Sequence, residues 1–206
     1  MKLAEVPQHS ILLIDLDNTL VFTNKANNLA YKTALYRTKY GYLIYENLVE
    51  EFNGIDHSLR ITEEKIWEAY IKYQSNNSIK EHIKQSILSA IKIKKEIYAQ
   101  FLYFTEPNKL IIDFLNNHKK SILVTKSSQT RANETLSYYN LSDCFQERVF
   151  CHSSKFKYPY AIDYLYRNSI VLDNFSMNNI YIIDDDLCEL ENAMAYGIPK
   201  EHIFIP

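Results

Sequence analysis

The stretch "HSILLIDLDNTLVF", His9 to Phe22, sets four consecutive apolar residues, Ile11 to Ile14, against two aspartates separated by one leucine. A short unbroken apolar run of this kind, Ile11 to Asp15, predicts a strand buried on both faces of a parallel sheet. Two negative charges at the tip of such a strand serve no purpose in a fold unless something positive or reactive meets them there. The remainder of the chain supplies candidates.

Outward from this strand the pattern changes twice. From about Asn24 to Tyr103 the period is helical, with Ile79, Ile83, Ile87 and Ile91 at four-residue steps on one face. Breaks around Gly41, around Gly54 and in "QSNNS" before Ile79 divide this block into about four helices. After "TEPNKL" strands and helices alternate. Thr105 or Glu106 precedes Pro107 in a helix-starting arrangement, and a helix follows over about Asn108 to His118. Strands are expected at Ser121 to Thr125, Arg148 to Cys151 and Ile180 to Asp184, and His202 to Ile205 closes the sheet. Ser128 caps a helix running to about Tyr139, Pro159 opens another, and a last one over Glu189 to Tyr196 stops at Gly197. Alternation of this kind means crossover connections and a doubly wound parallel α/β sheet. The sequence therefore predicts a core over 1–22 and 105–206 with a helical insertion over 23–104.

Composition bounds the function. The 206 residues are 47% hydrophobic, ample for a core. A net charge of −2 with scattered Lys and Arg offers no basic stripe, which excludes a nucleic-acid polymer as an electrostatic partner and leaves a small ligand. No apolar run approaches the roughly eighteen residues of a membrane span and the N-terminus lacks a signal core, so a soluble, cytoplasmic protein is expected. Cys144, Cys151 and Cys188 are an odd number without paired spacing, consistent with a reducing compartment. Oligomeric state is not legible.

In open parallel sheets ligands bind beyond the carboxyl ends of the strands. Asp15, Thr125, Asp184 and Asp185 all fall at such ends, and Lys157, from the loop before Pro159, can reach the same rim. Clustered carboxylates repel one another unless a cation neutralises them, and magnesium, with its preference for oxygen ligands, resolves that conflict. Asp15 and Asp17 are two residues apart, so in an extended chain both side chains leave on one side, with room for a phosphoryl group. One can attack phosphorus while the other protonates the leaving oxygen. Thr125 can donate to a phosphoryl oxygen, Lys157 can balance charge, and Asp185 can hold the metal.

The segments "DLDNTL", "ILVTKSS", "KYPYAIDYL" and "IIDDDLCELENAMAYGIP" occur in the order, and at roughly the intervals, of the four motifs of the haloacid dehalogenase (HAD) superfamily. Over its whole length the chain resembles the phosphatase branch with a helical cap between the first and second motifs. This resemblance implies a magnesium-dependent phosphohydrolase passing through an aspartyl-phosphate on Asp15, with Asp17 as general acid and then base. It implies metal ligation by Asp15, Asp185 and the Asp17 carbonyl, and phosphate binding by Thr125 and Lys157. Lys157 is preferred over Lys155 because Pro159 follows it, much as a proline follows the family's lysine.

Asp184 stands where many relatives have glycine and Glu189 where they have a second aspartate, so both are further metal-site candidates. Asp186 is expected as a helix cap. Two departures concern the phosphate site: Asn18 replaces a glycine common in the family, and Lys126 replaces a small or uncharged residue, either contacting a second anionic group or pointing to solvent. Cap loops at Tyr40 to Tyr45 and Phe52 to His57 are candidates for substrate contact, while Trp67, Tyr70 and Tyr73 belong to the cap core by their helical spacing. The expected substrate is a small phosphorylated metabolite, such as a nucleoside monophosphate, sugar phosphate or phosphoglycolate. A phosphosugar mutase and a catalytically idle binding module are the alternatives; intact charge at all four motifs weighs against the latter.

Overall fold

The computed structural model describes residues 3–51, 59–74, 79–118, 120–152, 154–168 and 176–206. The chain divides into two compact units, Met1–Phe22 with Pro107–Pro206, and Thr23–Glu106.

The first strand of the discontinuous unit is β1 (Ile11–Ile14), the apolar run of the opening motif. Two short strands, β2 (Val21–Phe22) and β3 (Glu106–Pro107), form a separate two-stranded sheet. The main sheet is completed by β4 (Ser121–Thr125), β5 (Glu147–Phe150), β6 (Ile180–Ile183) and β7 (Ile203–Phe204). Its five strands pair in parallel in the order β5-β4-β1-β6-β7. The chain lays down β4 and β5 on one side of β1, then returns to add β6 and β7 on the other. The strand order therefore reverses at the β1/β6 boundary, where a doubly wound sheet opens a crevice at its carboxyl edge.

Alternation along β1 and its neighbours sends side chains to two apolar layers. Ile11, Leu13, Ile122, Val124, Ile180 and Ile182 pack against α7 (Lys157–Arg167) and α8 (Leu187–Ala195). Leu12, Ile14, Leu123 and Ile183 pack against α5 (Lys109–Leu115) and α6 (Gln129–Tyr138). Helices thus cover both faces, as the unbroken apolar strands require.

The other unit holds α1 (Asn24–Tyr36), α2 (Gly41–Glu51), α3 (Glu63–Ile71) and α4 (Lys80–Ile97), followed by 3-10 turns over Tyr98–Phe104. Ile83 and Ile87 lie in its core with Leu35, Ile44, Leu48 and Ile66, and Trp67, Tyr70 and Tyr73 pack against that core as their spacing predicts. Buried Asn28 pins the chain before α3: its amide donates to Leu59 O and its oxygen accepts from Ile61 N. The segment Tyr40 to Tyr45, expected as a loop, is instead the start of α2 from Gly41 on: Tyr40, Leu43 and Tyr45 pack inward while Tyr42 is exposed. The second candidate loop, Phe52 to His57, lies outside the described residues. Among the described residues no helix is long and apolar enough to cross a membrane.

Several element bounds differ from the sequence expectation for identifiable reasons. Pro107 sits in β3, and α5 starts at Lys109 after Asn108. Helix α7 begins at Lys157 instead of Pro159, because a proline lacks only an N–H that the first helical turn leaves unused. Lys157 is therefore a first-turn residue and not a loop residue. Helix α8 begins two residues earlier than expected, with Asp186 as its cap, accepting from the N–H groups of Cys188 and Glu189.

The end of α8 follows its sequence signal closely. Gly197 has φ +113°, its N–H donates to Met194 O, and Ile198 N–H donates to Ala193 O, the paired bonds of a Schellman ending. A Cβ at this position would meet no close neighbour, so the cost of a side chain is conformational. Gly197→Ala is expected to lower stability by about 1 kcal/mol and Gly197→Asn by less, because asparagine tolerates the left-handed region better. Urea unfolding midpoints measure this; an unchanged midpoint in the alanine variant would contradict it.

Candidate functional site

Strand alternation also decides where the site's charges go. Asp15 continues the series Ile11, Leu13, and Asp184 the series Ile180, Ile182, so each carboxylate leaves the sheet on the face covered by α7 and α8. The strands are in register there: Ile14 lies opposite Ile183, and Asp15 N–H donates to Ile183 O. Two carboxylates at adjacent strand ends thus meet the start of α7. Lys157 Nζ lies 2.7 Å from Asp15 Oδ1 and 2.6 Å from Asp184 Oδ2. The Tyr158 hydroxyl donates to the same Asp184 oxygen at 2.6 Å, and Asp186 N–H donates to the other at 3.0 Å. Asp15, Lys157, Tyr158 and Asp184 are all buried.

Asp185 is exposed and is tied to the opening motif through Thr19, whose hydroxyl donates to Asp185 Oδ1 at 3.2 Å and accepts from Asp185 N–H at 3.1 Å. One oxygen from each of Asp15, Asp184 and Asp185 lies within 4.8 Å of the others. Three carboxylates face one ammonium, so the cluster is short of positive charge, and its donors are all oxygen. Such a set suits a hard divalent cation.

Thr125 ends β4, beside β1, and its buried hydroxyl accepts from Ser127 N–H at 3.0 Å. Asp17 takes a different set of partners from Asp15: Ser127 Oγ donates to its Oδ2, and Arg131 forms an ion pair with its Oδ1. Asn18 has φ +61° and its N–H donates to Val21 O at 2.7 Å. That backbone explains why asparagine stands where glycine is common, since both tolerate left-handed geometry.

Glu189, expected beside the metal, is placed elsewhere. Its Oε2 accepts Lys157 N–H at 2.9 Å and its Oε1 pairs with Lys126. It satisfies an otherwise orphaned donor at the start of α7, a use that the spacing of the motif does not reveal. The same pair accounts for Lys126, whose ammonium meets an internal carboxylate. Lys155 lies over the Phe156 ring instead, so Lys157 is the lysine at the carboxylates.

Sequence reading missed Thr19, Ser127, Arg131 and Tyr158. One signal was available for Arg131: it occupies the third position of α6 behind the cap Ser128, where the helix dipole disfavours a cation. Lys157, at the first position of α7, breaks the same preference. Both cations are matched by an aspartate of the opening motif.

The electrostatics follow from burial. Asp15 is pushed up to about 8, chiefly by burial; Lys157 opposes this, and the charges of Asp184 and Asp17 add to it. Burial disfavours the charge on Lys157, but Asp15 and Asp184 outweigh it and raise its pKa. Asp185, exposed at its surface but partly desolvated by its surroundings, is raised by that desolvation and by Asp184, and Tyr158 is raised well above the usual tyrosine range by burial and Asp184, so it remains a neutral donor. A carboxyl raised in the folded state stabilises the fold below its unfolded pKa, and that contribution is lost as pH climbs through the folded value. Without metal, Asp15 should therefore cost stability between about pH 4 and about 8. Asp15→Asn, which cannot ionise, is expected to gain on the wild type in thermal midpoint as pH rises from about 5 to about 9 in chelator. Parallel pH dependences of the two proteins would contradict this assignment.

No family model matches the sequence, and no curated protein matches it. Solved structures do. A predicted phosphoglycolate phosphatase from Haemophilus somnus superposes with a TM-score of 0.61 at 16% identity, covering 97% of this chain and 84% of that one. A protein from Thermotoga maritima assigned as a β-phosphoglucomutase gives 0.58 at 18%, over 94% and 83%. The HAD hydrolase YfnB from Bacillus subtilis, in a magnesium-bound form, gives 0.53 at 17%, over 92% and 86%. The chain has the fold of the haloacid dehalogenase-like hydrolases.

Proposed function

We propose that the protein is a magnesium-dependent phosphohydrolase that cleaves a small phosphomonoester through an aspartyl-phosphate on Asp15. The observation that carries this reading is the buried contact of Asp15 with Lys157 at the rim of a carboxylate cluster. A carboxylate in that setting is aligned by the ammonium and paired with a group able to balance phosphoryl charge.

In this reading an Asp15 oxygen attacks phosphorus, the bond to the leaving oxygen breaks, and Asp17 gives that oxygen a proton. Asp17, now a carboxylate, then takes a proton from a water that attacks the acyl-phosphate, releasing inorganic phosphate and restoring Asp15. The Thr125 hydroxyl, which accepts from Ser127 N–H, donates its own hydrogen to a phosphoryl oxygen. Lys157 balances charge on the nucleophile and on the five-coordinate transition state. Asn18 and Lys126, the latter while paired with Glu189, would border the phosphate. Asp15, Asp185 and the Asp17 carbonyl would hold the cation, with Asp184 behind them, fixing Lys157. The metal, when bound, supplies positive charge against the phosphoryl oxygens. The fold shared with proteins named as phosphatases supports this class of reaction; the substrate would be a small phosphorylated metabolite.

The test is phosphate release from a generic aryl phosphate with magnesium and with chelator. Release should require the metal. Asp15→Asn should abolish both turnover and labelling of the protein from a radiolabelled phosphate donor, a loss of at least about a thousandfold, whereas Asp17→Asn should slow turnover by about 10²-fold or more. Full activity in Asp15→Asn would overturn the covalent assignment. A hexose bisphosphate formed from a hexose monophosphate would point instead to a mutase.

A further inference from the structure

The Asp17 carboxylate is held by one short segment that none of the recognised motifs includes beyond its start. Ser127 and Arg131 approach its two oxygens separately, one from the loop after β4 and the other from the first turn of α6. The segment carrying them is itself fixed. Ser127 N–H donates to Thr125 Oγ1 at 3.0 Å, Ser128 caps α6 by accepting Arg131 N–H, and the Thr135 hydroxyl donates to Arg131 O at 3.0 Å. Both ionic side chains are largely withdrawn from water, 14% exposed for Arg131 and 11% for Asp17. Low exposure strengthens the pair and preserves its geometry.

Asp17 has particular need of such support. It precedes Asn18, whose positive φ turns the chain sharply, so Asp17 stands on a tight loop and not within a regular strand. Arg131 also sits where the helix dipole disfavours a cation, so α6 gains nothing from it locally. A local cost matched by a contact to a motif residue marks a functional position.

We propose that Arg131, with Ser127, is a positioning residue for Asp17: Arg131 holds Oδ1, the proton of the acid form is carried on Oδ2 beside the Ser127 hydroxyl and passes from there to the leaving oxygen, and the pair so governs how strongly turnover depends on the leaving group. This rests on the phosphohydrolase reading above. General acid catalysis matters most where the leaving oxygen is strongly basic. Substrates with alkyl leaving groups, whose oxygens need a proton, are therefore the class for which the Arg131–Asp17 pair is built.

The experiment is a series of phosphomonoesters of graded leaving-group acidity, from 4-nitrophenyl through phenyl to alkyl phosphates, assayed with magnesium for kcat and KM separately. Arg131→Met should lower kcat progressively, from about twofold on the most acidic leaving group to about 100-fold on the alkyl ester, with KM nearly constant. Arg131→Lys should recover part of the loss, and Ser127→Ala should show the same trend more weakly. In an Asp17→Asn background Arg131→Met should add nothing, since its effect passes through Asp17. Equal loss across the series, or an Arg131 effect that persists without the Asp17 carboxylate, would overturn the assignment. If Arg131→Met does not fold, Arg131→Lys and Ser127→Ala carry the same comparison. A wild type that hydrolyses no member of the series would remove the phosphohydrolase reading itself, and this proposal with it; a flat series with an active wild type removes only the role of Arg131.

Discussion

The ammonium of Lys157, shared between Asp15 and Asp184, is the contact on which the rest of the site depends. An ammonium and two carboxyl groups buried at the edge of a sheet are an expensive arrangement. Such pairs seldom stabilise a fold beyond what apolar residues of similar size would achieve, because desolvation offsets most of their attraction. The cluster also holds more carboxyl groups than cations, and the charges of Asp184 and Asp17 add to the upward shift that burial imposes on Asp15. Under the function proposed here, a ligand corrects this imbalance. In the proposed reading a divalent cation would do so by meeting the carboxylates, leaving Lys157 to balance the charge of a phosphoryl group.

The geometry that brings these groups together follows from elementary features of the chain. Period-two alternation directs Asp15 and Asp184 to the same face of the sheet, and parallel register sets them side by side. The reversal of strand order between β1 and β6 leaves the crevice above them open. Helix α7 then delivers Lys157 from its first position, with Glu189 accepting its N–H and Tyr158 completing Asp184. Two helix starts, those of α6 and α7, carry a cation against the dipole, and each cation meets one of the two aspartates of the opening motif. The local cost at both helices is thus exchanged for control of both carboxylates.

Much of this was legible in the residues alone. The apolar strands, the Ser128 and Asp186 caps and the Gly197 stop carry strong local signals, and the structure places them within a residue or two. The aspartates were legible because they follow apolar strands that cannot otherwise explain them. Less legible were contacts set by tertiary packing. Glu189 sits where the motif leads one to expect a metal ligand, yet it turns to Lys126 and to the Lys157 N–H, a choice made by the relative placement of β4, α7 and α8. Ser127 lies at the end of a recognised motif and Arg131 just beyond it, and nothing in their spacing indicates an approach to Asp17. Pro159 misled about the start of α7, since proline fits anywhere in a first turn.

The most direct test of the central claim is a crystal structure with magnesium and beryllium fluoride, a mimic of a phosphoryl group bound to a carboxylate. The mimic should sit on an Asp15 oxygen, with the cation held by Asp15 and Asp185 and Lys157 in contact with the fluorides. A mimic bound elsewhere, or an Asp15 that remains unmodified while the cation binds, would contradict the claim.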